Sequence, residues 1–485
     1  MTEVAPLGLH SRQGRIAVAA TIVASGAAFL DGSIVNVALP HINADLGGGF
    51  TAAQWIVDGY LLTLGSLVLV GGSLGDLLGK RRVFETGLVM FAISSALCGL
   101  APTVSVLIAA RLLQGVGAAL LVPTSLALLS ALFSGADRGA AIGAWSGLSG
   151  VFTALGPFVG GVLVDSSVAG WRWAFLINPP LVVVALVLSR RGIPDLPGMR
   201  THAPLIGQVD VLGGVLITVG LALLVGPLIE ITRLGTVVTL LLIVAGAVVL
   251  FGFVALEERR ERTQKPPPLL SLQLFRIRSF VVANIVTFAV YGAFSVAGFM
   301  LSILLQVALG YSALQAGAAS VPVTVILAVL SSRVGRLVPT VGPRILLTAG
   351  CLVITVGFSL LSLIDEHSSY VTGVLPGVIV FGLGLALVVA PVTTTALADV
   401  SGPHAGGASG VNNAVARIAG LAAIAALPLL GGLAGDSLAG GPAFVAGYSR
   451  TLLAAAALCL SGAAVSWWGF RPLRTPAAGV GGGPP

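Results

Sequence analysis

Charge is scarce in this chain. Only 9% of its 485 residues are Asp, Glu, Lys or Arg, against 56% hydrophobic ones, whereas ordinary soluble domains carry roughly 25% charge. So few charges cannot clothe a water-soluble surface, and the apolar runs are too long for one oversized soluble core. Crossing about 30 Å of hydrocarbon takes ~20 apolar residues, and stretches of that length recur from end to end. Cysteine is rarer still. Cys98, Cys351 and Cys459 lie in apolar runs at irregular distances, with no CxxC and no neighbouring His, so neither a disulfide framework nor a metal site is expected. They read as small packing residues. The five His fall in or near loops, which leaves histidine-based proton transfer in the core without support. No G-x-x-x-x-G-K-[ST] phosphate loop occurs, and no polar stretch is long enough to hold one in a domain, so ATP drive within this chain is excluded. A nucleophile and base at one membrane depth are also missing, which argues against a polytopic membrane enzyme such as an acyltransferase or hydrolase. No catalytic residue, cofactor or metal is expected.

What is there is a succession of apolar runs broken by Gly, Pro and charge. They lie near 15–39, 53–73, 83–100, 103–125, 139–164, 173–190, 209–229, 236–256, 279–306, 313–333, 345–364, 370–396, 407–432 and 450–470, fourteen in all, and they predict an all-α polytopic membrane protein with the lipid bilayer as its main partner. Arg12 and Arg15 before the first run imitate a secretory signal. The run continues through Asp31 to Pro40 without a small-x-small exit, so it reads as an uncleaved first span. The formal charge of +7 resides in short clusters between runs and not on one continuous face, which argues against nucleic acid. With a cytoplasmic N-terminus the inner turns hold Lys80, Arg81, Arg82, Arg138, Arg190, Arg191, Arg259, Arg260, Arg262, Lys265, Arg276, Arg278, Arg336, Arg344, Arg471 and Arg474. The outer ones keep Arg172, Arg233 and Arg450, beside Asp365, Glu366 and His367. The positive-inside rule therefore expects both termini in the cytoplasm and an even number of spans in the inner (plasma) membrane.

The longest polar stretches, 190–208 and 257–278, bracket the seventh and eighth runs. This predicts two parallel six-helix repeats: a bundle over 1–190, a linker with two inserted helices and a cytoplasmic loop over 191–278, and a second bundle with a short tail over 279–485. The halves echo each other. GSLGDLLGKRR after the second run has a degraded partner, GRLVPTVGPR, after the tenth, and GPFVGG in the fifth run is answered by LPLLGG in the thirteenth.

Gly72-Ser73-Leu74-Gly75-Asp76-Leu77-Leu78-Gly79-Lys80-Arg81-Arg82 fits G-x-L-x-D-x-x-G-x-R-R on a cytoplasmic turn. It resembles the corresponding turn of the major facilitator superfamily. Gly75 and Gly79 allow close helix approach, and Asp76 can accept charge-assisted hydrogen bonds in one conformational state only, which makes it a latch. A solvated basic turn accounts for Lys80 to Arg82 but not for an acid among glycines. The second copy has Pro339 in the acid's place, so its latch is expected to be weaker.

In the fourth run, Leu107 to Ala119 resembles the superfamily's intramembrane arginine motif. Arg111 near a helix centre costs at least ~2.5 kcal/mol on insertion scales and must meet an acid or backbone carbonyls. Arg111, Gly115 and Ala118 share a face, and ~12 Å of helix separates Arg111 from the outer end. Phe29-Leu30-Asp31-Gly32-Ser33-Ile34-Val35-Asn36-Val37-Ala38-Leu39-Pro40 looks like the signature of the fourteen-helix drug:proton antiporter branch. Burial and a nearby cation pull the proton affinity of such a carboxyl in opposite directions. Asp58 enters the second run from outside. Asp31, Asp58 and Arg111 together then make a proton relay, or a static buried network, or a direct holder of a cationic drug.

The fifth run places Gly143, Gly147, Gly150, Ala154, Pro157 and Gly161 in one small-residue stripe, with Gly156 and Gly160 beside it. Close packing and a bend at Pro157 are expected, and LGPFVGG resembles the superfamily's antiporter motif. Trp171 to Pro180 reads as aromatic anchoring at the membrane surface. Asn36, Gln114, Asn413 and Arg417 are candidates to line a cavity, Arg417 being equally readable as a structural residue near the inner surface. GYSALQAG over 310–317 is similar to the family's outer turn between the ninth and tenth spans. The resemblance implies a monomeric, proton-coupled secondary transporter exporting hydrophobic or cationic small molecules by alternating access. An exporter of an endogenous lipid or secondary metabolite uses the same relay, and a channel fits a latched two-repeat architecture poorly.

Overall fold

In hydrocarbon each backbone N–H and C=O has to be satisfied within its own segment, so an apolar run of this length becomes a helix. The computed structural model describes residues 6–195, 209–263, 266–400, 405–435 and 440–471. The polar stretch 196–208 and the charges Lys265 and Arg474 lie outside the described residues. Among the described residues fourteen helices are long and apolar enough to span a membrane: α1 (Arg12–Leu46), α2 (Gly49–Leu78), α3 (Lys80–Gly99), α4 (Val104–Leu132), α5 (Gly135–Val164), α6 (Gly170–Gly192), α7 (Val211–Ile229), α8 (Ile231–Thr263), α9 (Arg278–Ala308), α10 (Ala313–Gly335), α11 (Pro343–Leu361), α12 (Tyr370–Ala398), α13 (Gly406–Gly431) and α14 (Pro442–Gly469). The start of α1 and the end of α14 lie at one end of the bundle, as an even number of spans requires; that end is called here the terminal face.

Helix pairing repeats along the chain. α1 packs on α5 and α6, α4 on α2 and α3, and α3 on α6; the equivalent pairings, each helix replaced by the one eight later in the chain, recur among α9 to α14. The degraded sequence echo has a backbone counterpart. Gly79 (φ 99°) and Gly342 (φ 87°) each turn the chain straight into the next helix, a conformation glycine adopts without steric penalty. The second copy thus keeps the glycine that the turn needs, with Pro339 in the acid's place and Val338 in that of Gly75.

The repeats meet along two seams, α2 with α13 and α5 with α10. At the far face they are sealed. The Asp165 carboxylate accepts from the backbone N–H of Ala313 (3.1 Å) and Leu314 (2.9 Å), and Gln54 donates to the Ile424 carbonyl at 2.7 Å. Ser302 and Gln306 of α9 donate to the Asn36 and Val37 carbonyls of α1. Toward the terminal face α5 and α10 part. A Cβ at Gly161 would lie 2.5 Å from Leu314 Cα, yet one at Gly143, Gly147 or Gly150 would meet nothing within 4 Å. The stripe on α5 therefore packs only along its outer part, and Gly150, expected in a packed groove, faces open space.

The inserted pair flanks the α2–α13 seam. Leu221, Val225 and Ile229 of α7 pack on Leu62 of α2 and on Leu421 and Ala425 of α13. Thr218 donates to Ser66 Oγ at 2.9 Å, and Trp55 Nε1 to Glu230 Oε1 at 2.9 Å. α8 is tied to α7 by close approach at Gly220 and Gly246. Its other face is exposed and apolar, Val237, Leu241, Val244, Val248 and Phe251 among it, as lipid contact requires. At the terminal face, Arg260 pairs with buried Asp210, and Glu257 accepts from the Leu270 N–H at 2.8 Å.

Candidate functional site

Gly115 decides how α4 meets α2. A Cβ there would sit 2.1 Å from Thr63 Oγ1 and 2.5 Å from the Tyr60 carbonyl oxygen, so only glycine lets the two helices touch. That approach carries Arg111, one turn earlier, into the bundle, where its Nε donates to the Ile56 carbonyl at 2.9 Å. Its Nη1 reaches Asp31 Oδ2 of α1 at 2.5 Å, and neither side chain has any exposed surface. Gln114 Nε2 donates to Asp31 Oδ1 at 2.8 Å and to Ser95 Oγ at 2.6 Å, while its Oε1 accepts from Arg111 at 2.7 Å. Asn178 Nδ2 completes the cage, 2.8 Å from Asp31 Oδ1 and 3.2 Å from Ser95 Oγ. The guanidinium also lies 4.4 Å from the Tyr60 ring centroid and 5.7 Å from that of Phe175. Removing one partner of such a buried pair typically costs about 3–5 kcal/mol, and this acid is held by groups from α4 and α6, which Ser95 of α3 braces in turn.

The expected residues are distributed as follows. Asp31 and Arg111 come together directly. Asp58 does not join them: it is wholly buried, but neither carboxyl oxygen bonds a described protein group. Arg111 takes the carbonyl of Ile56 instead, since on a helix side chains two residues apart point roughly 200° from each other. Gln114, expected to line a cavity, is fully buried beside Asp31. Asn36 sits in the sealed seam between α1 and α9. Asn413 is half-buried, its Nδ2 3.4 Å from the Ser409 carbonyl.

Trp171 to Pro180 departs most from expectation. Trp171 is fully buried and donates to Asp45 at 3.0 Å, and Arg172 binds the carbonyls of Gly99 and Ala101. Trp173 is exposed and is the one placed to anchor. The helical segment begins at Gly170, earlier than the apolar run suggests, so Asn178 is two turns deep and reaches Asp31. An amide within an apolar run was the available signal for it. Ser95 carries no such mark.

At the terminal motif, Gly75 lets α2 approach α4, where a Cβ would lie 2.8 Å from Thr124 Cγ2. Gly72 is looser, with only Pro123 Cβ at 4.0 Å. Asp76 is 59% exposed and paired at 2.6 Å with Lys80 of its own turn. Arg81 binds Glu85 at 3.0 Å, which Ser189 of α6 also reaches. Asp76 makes no bond to the second repeat here.

On α5, a Cβ at Gly156 would fall 1.9 Å from Ser33 Oγ and one at Gly160 would fall 2.6 Å from Ile34 Cγ1, which clamps α5 on the helix that carries Asp31. The Ala154 carbonyl, one turn before Pro157, accepts from Thr324 of α10 at 3.1 Å. Arg417 stands at mid-depth in α13, half-buried, its guanidinium 5.2 Å from the Phe29 ring of α1. Phe29 meets Trp145 of α5 edge-on at 6.3 Å, and Trp145 Nε1 donates to Ser25 Oγ at 2.9 Å.

Comparison with known proteins agrees with this arrangement. The chain is 36% identical over 434 residues to the "Probable actinorhodin transporter" of Streptomyces coelicolor, covering 88% of this chain and 74% of that one. It is 35% identical over 403 residues to "Puromycin resistance protein pur8" of Streptomyces alboniger, covering 82% and 78%. A crystal structure of the POT family transporter PepTSo shares the fold with a TM-score of 0.65 at 16% identity, over 93% of this chain and 97% of that one. Residues 21–424 match the model of the Major Facilitator Superfamily. With fourteen apolar helices and a charged cage inside a two-repeat bundle, the chain is a multi-pass membrane transporter and not an enzyme, and it belongs to the Major Facilitator Superfamily.

Proposed function

We propose that this transporter is a proton-coupled antiporter that exports hydrophobic or cationic small molecules of the drug and antibiotic type. The observation that carries the reading is Asp31: a carboxyl with no exposed surface, bound to Arg111 at 2.5 Å, on the helix against which α5 is clamped. Intramembrane acids of this kind mark proton relays. Gain and loss of H⁺ at Asp31 alters its bond to Arg111, and α1 transmits the change to the seam. The repeats 1–190 and 279–485 act as the two moving bodies, with 191–278 carried between them. Asp76 is the latch that closes the terminal face in the opposite conformation. Positive charge at the terminal turns supports a cytoplasmic terminal face in the inner (plasma) membrane. In that orientation the present conformation opens inward and is ready to load. One copy contains both repeats, and a monomer suffices.

The test is dye efflux from proteoliposomes under an imposed pH gradient. Asp31→Asn inserts normally and loses gradient-driven efflux, as wild type does with a protonophore. Proton-coupled efflux at the wild-type rate in that variant would end the proposal. The relative described as an actinorhodin transporter favours a second reading of the cargo, an endogenous secondary metabolite, moved by the same machinery.

A further inference from the structure

Arg417 lies about 17 Å along α13 from Gly406, close to the middle of the bilayer. A guanidinium at that depth is costly unless it meets an opposite charge or water. Among the described residues no Asp or Glu lies within ion-pair distance of it. Asp31 is committed to Arg111, and Asp58 is wholly buried. Nor is the side chain turned to lipid. Its Cβ is pinned on α2, 3.2 Å from where a Cβ at Gly65 would stand, and its head crosses to Phe29 on α1. Tyr60 and Tyr291 are within electrostatic reach. Arg417 is half-buried, so part of its side chain stands free of the packed helices. A guanidinium without a described acid partner thus sits near the midplane beside the Phe29 ring, which in turn meets Trp145.

That combination has a chemical complement. A guanidinium binds a carboxylate or phenolate by paired charge-assisted hydrogen bonds, and ring edges and faces accept a flat aromatic body. We propose that Arg417 is an anion-binding centre in the cargo site, taking flat aromatic molecules that carry an ionised carboxyl or phenol. The cargo range then extends beyond the hydrophobic and cationic molecules considered above. This inference rests on the reading of the chain as an exporter with a midplane cavity. It does not depend on proton coupling.

The experiment is equilibrium binding to the full-length protein in detergent, with no gradient, read by fluorescence anisotropy. Fluorescein supplies an aromatic carboxylate and phenolate, and ethidium an aromatic cation. Arg417→Gln is expected to weaken fluorescein by about tenfold or more, the equivalent of one lost ion pair. Ethidium should change by less than about twofold, and Arg417→Lys, which keeps the charge but loses the planar fork, should bind fluorescein more weakly than wild type and more tightly than Arg417→Gln. The wild-type protein provides an arm independent of any variant's folding: the methyl ether methyl ester of fluorescein, uncharged, should bind about tenfold more weakly than fluorescein itself. Absence of fluorescein binding to wild type, equal binding of the uncharged derivative, or equal losses of both dyes in Arg417→Gln would each overturn the assignment. Fluorescein binding that persists in a protein showing no gradient-driven efflux would sink the antiport reading and leave this one standing.

Discussion

A carboxyl group removed from water depends on its neighbours for what water would have supplied. For Asp31 those neighbours are Arg111, Gln114 and Asn178, all within 2.8 Å of its oxygens. Replacing Asn178 by Leu takes one donor from the acid and one from Ser95 without opening a cavity. The expected cost is about 1–3 kcal/mol, the usual penalty for an orphaned buried acceptor, seen as a lower midpoint of thermal unfolding in detergent, together with slower gradient-driven efflux. An unchanged midpoint would mean that Asn178 is not a working member of the cage. The pairing of Asp31 with Arg111 could be sought from sequence, because a charge in an apolar run needs partners wherever the chain goes, whereas Gln114, expected to line a cavity, is buried beside them. Asn178 was not legible there, since its depth depends on where α6 starts, and Trp171 and Trp173 in the same run resemble surface anchors. That Arg111 chooses the Ile56 carbonyl over Asp58 is a matter of helix rotation, which spacing within one segment does not reveal.

All fourteen spans could be read from apolar runs, though the helices outrun them. α1 extends from Arg12 to Leu46, and α8, once past a non-helical Gly235 (φ 76°), runs on to Thr263, because a helix continues into the headgroups and beyond as long as its caps allow. α14 starts at Pro442, a residue suited to the first helical turn. α5 shows what a pattern of small residues leaves open. Its stripe is continuous in sequence, but Gly161 is pressed against α10 while Gly150 meets nothing, since packing is set by whichever conformation the neighbour adopts. The outer contact is reinforced by Asp165, whose carboxylate faces the N-terminus of α10 beside the Ser312 capping box. An anion there gains from both the free N–H groups and the helix dipole. Asp165→Asn should loosen this closure, shifting the open-to-closed ratio at the far face by roughly tenfold for about 1.4 kcal/mol. Spin-label distances between the far ends of α5 and α10 report it, and a distribution matching wild type would contradict the role.

Across the whole molecule, one face is sealed and the other parted, and the latch turn sits on the parted face. Its acid is engaged only with Lys80, an exposed pair of the kind worth about 0–1 kcal/mol. Asp76→Asn therefore has little to lose in this conformation and more in the other. Cargo affinity should stay within about twofold while turnover falls by about tenfold, the signature of a change in the equilibrium between conformations; parallel losses in both would refute a latch. The glycine turn at Gly79 has a counterpart at Gly342, a trace that sequence carries, whereas the direction in which the bundle opens leaves none in composition. The inserted pair adds an asymmetry. α7 is hydrogen-bonded to α2 through Ser66 and Trp55, while the contacts described with α13 are those of Leu421 and Ala425. Hydrogen bonds resist sliding in a way that smooth apolar contact does not. When the repeats rock, α7 and α8 travel with the first and α13 slips past them, so this flank stays shuttered against lipid throughout the cycle. Among the described helices, the parted flank of α5 and α10 is then the lateral doorway that the proposed cycle offers to a molecule dissolved in the bilayer.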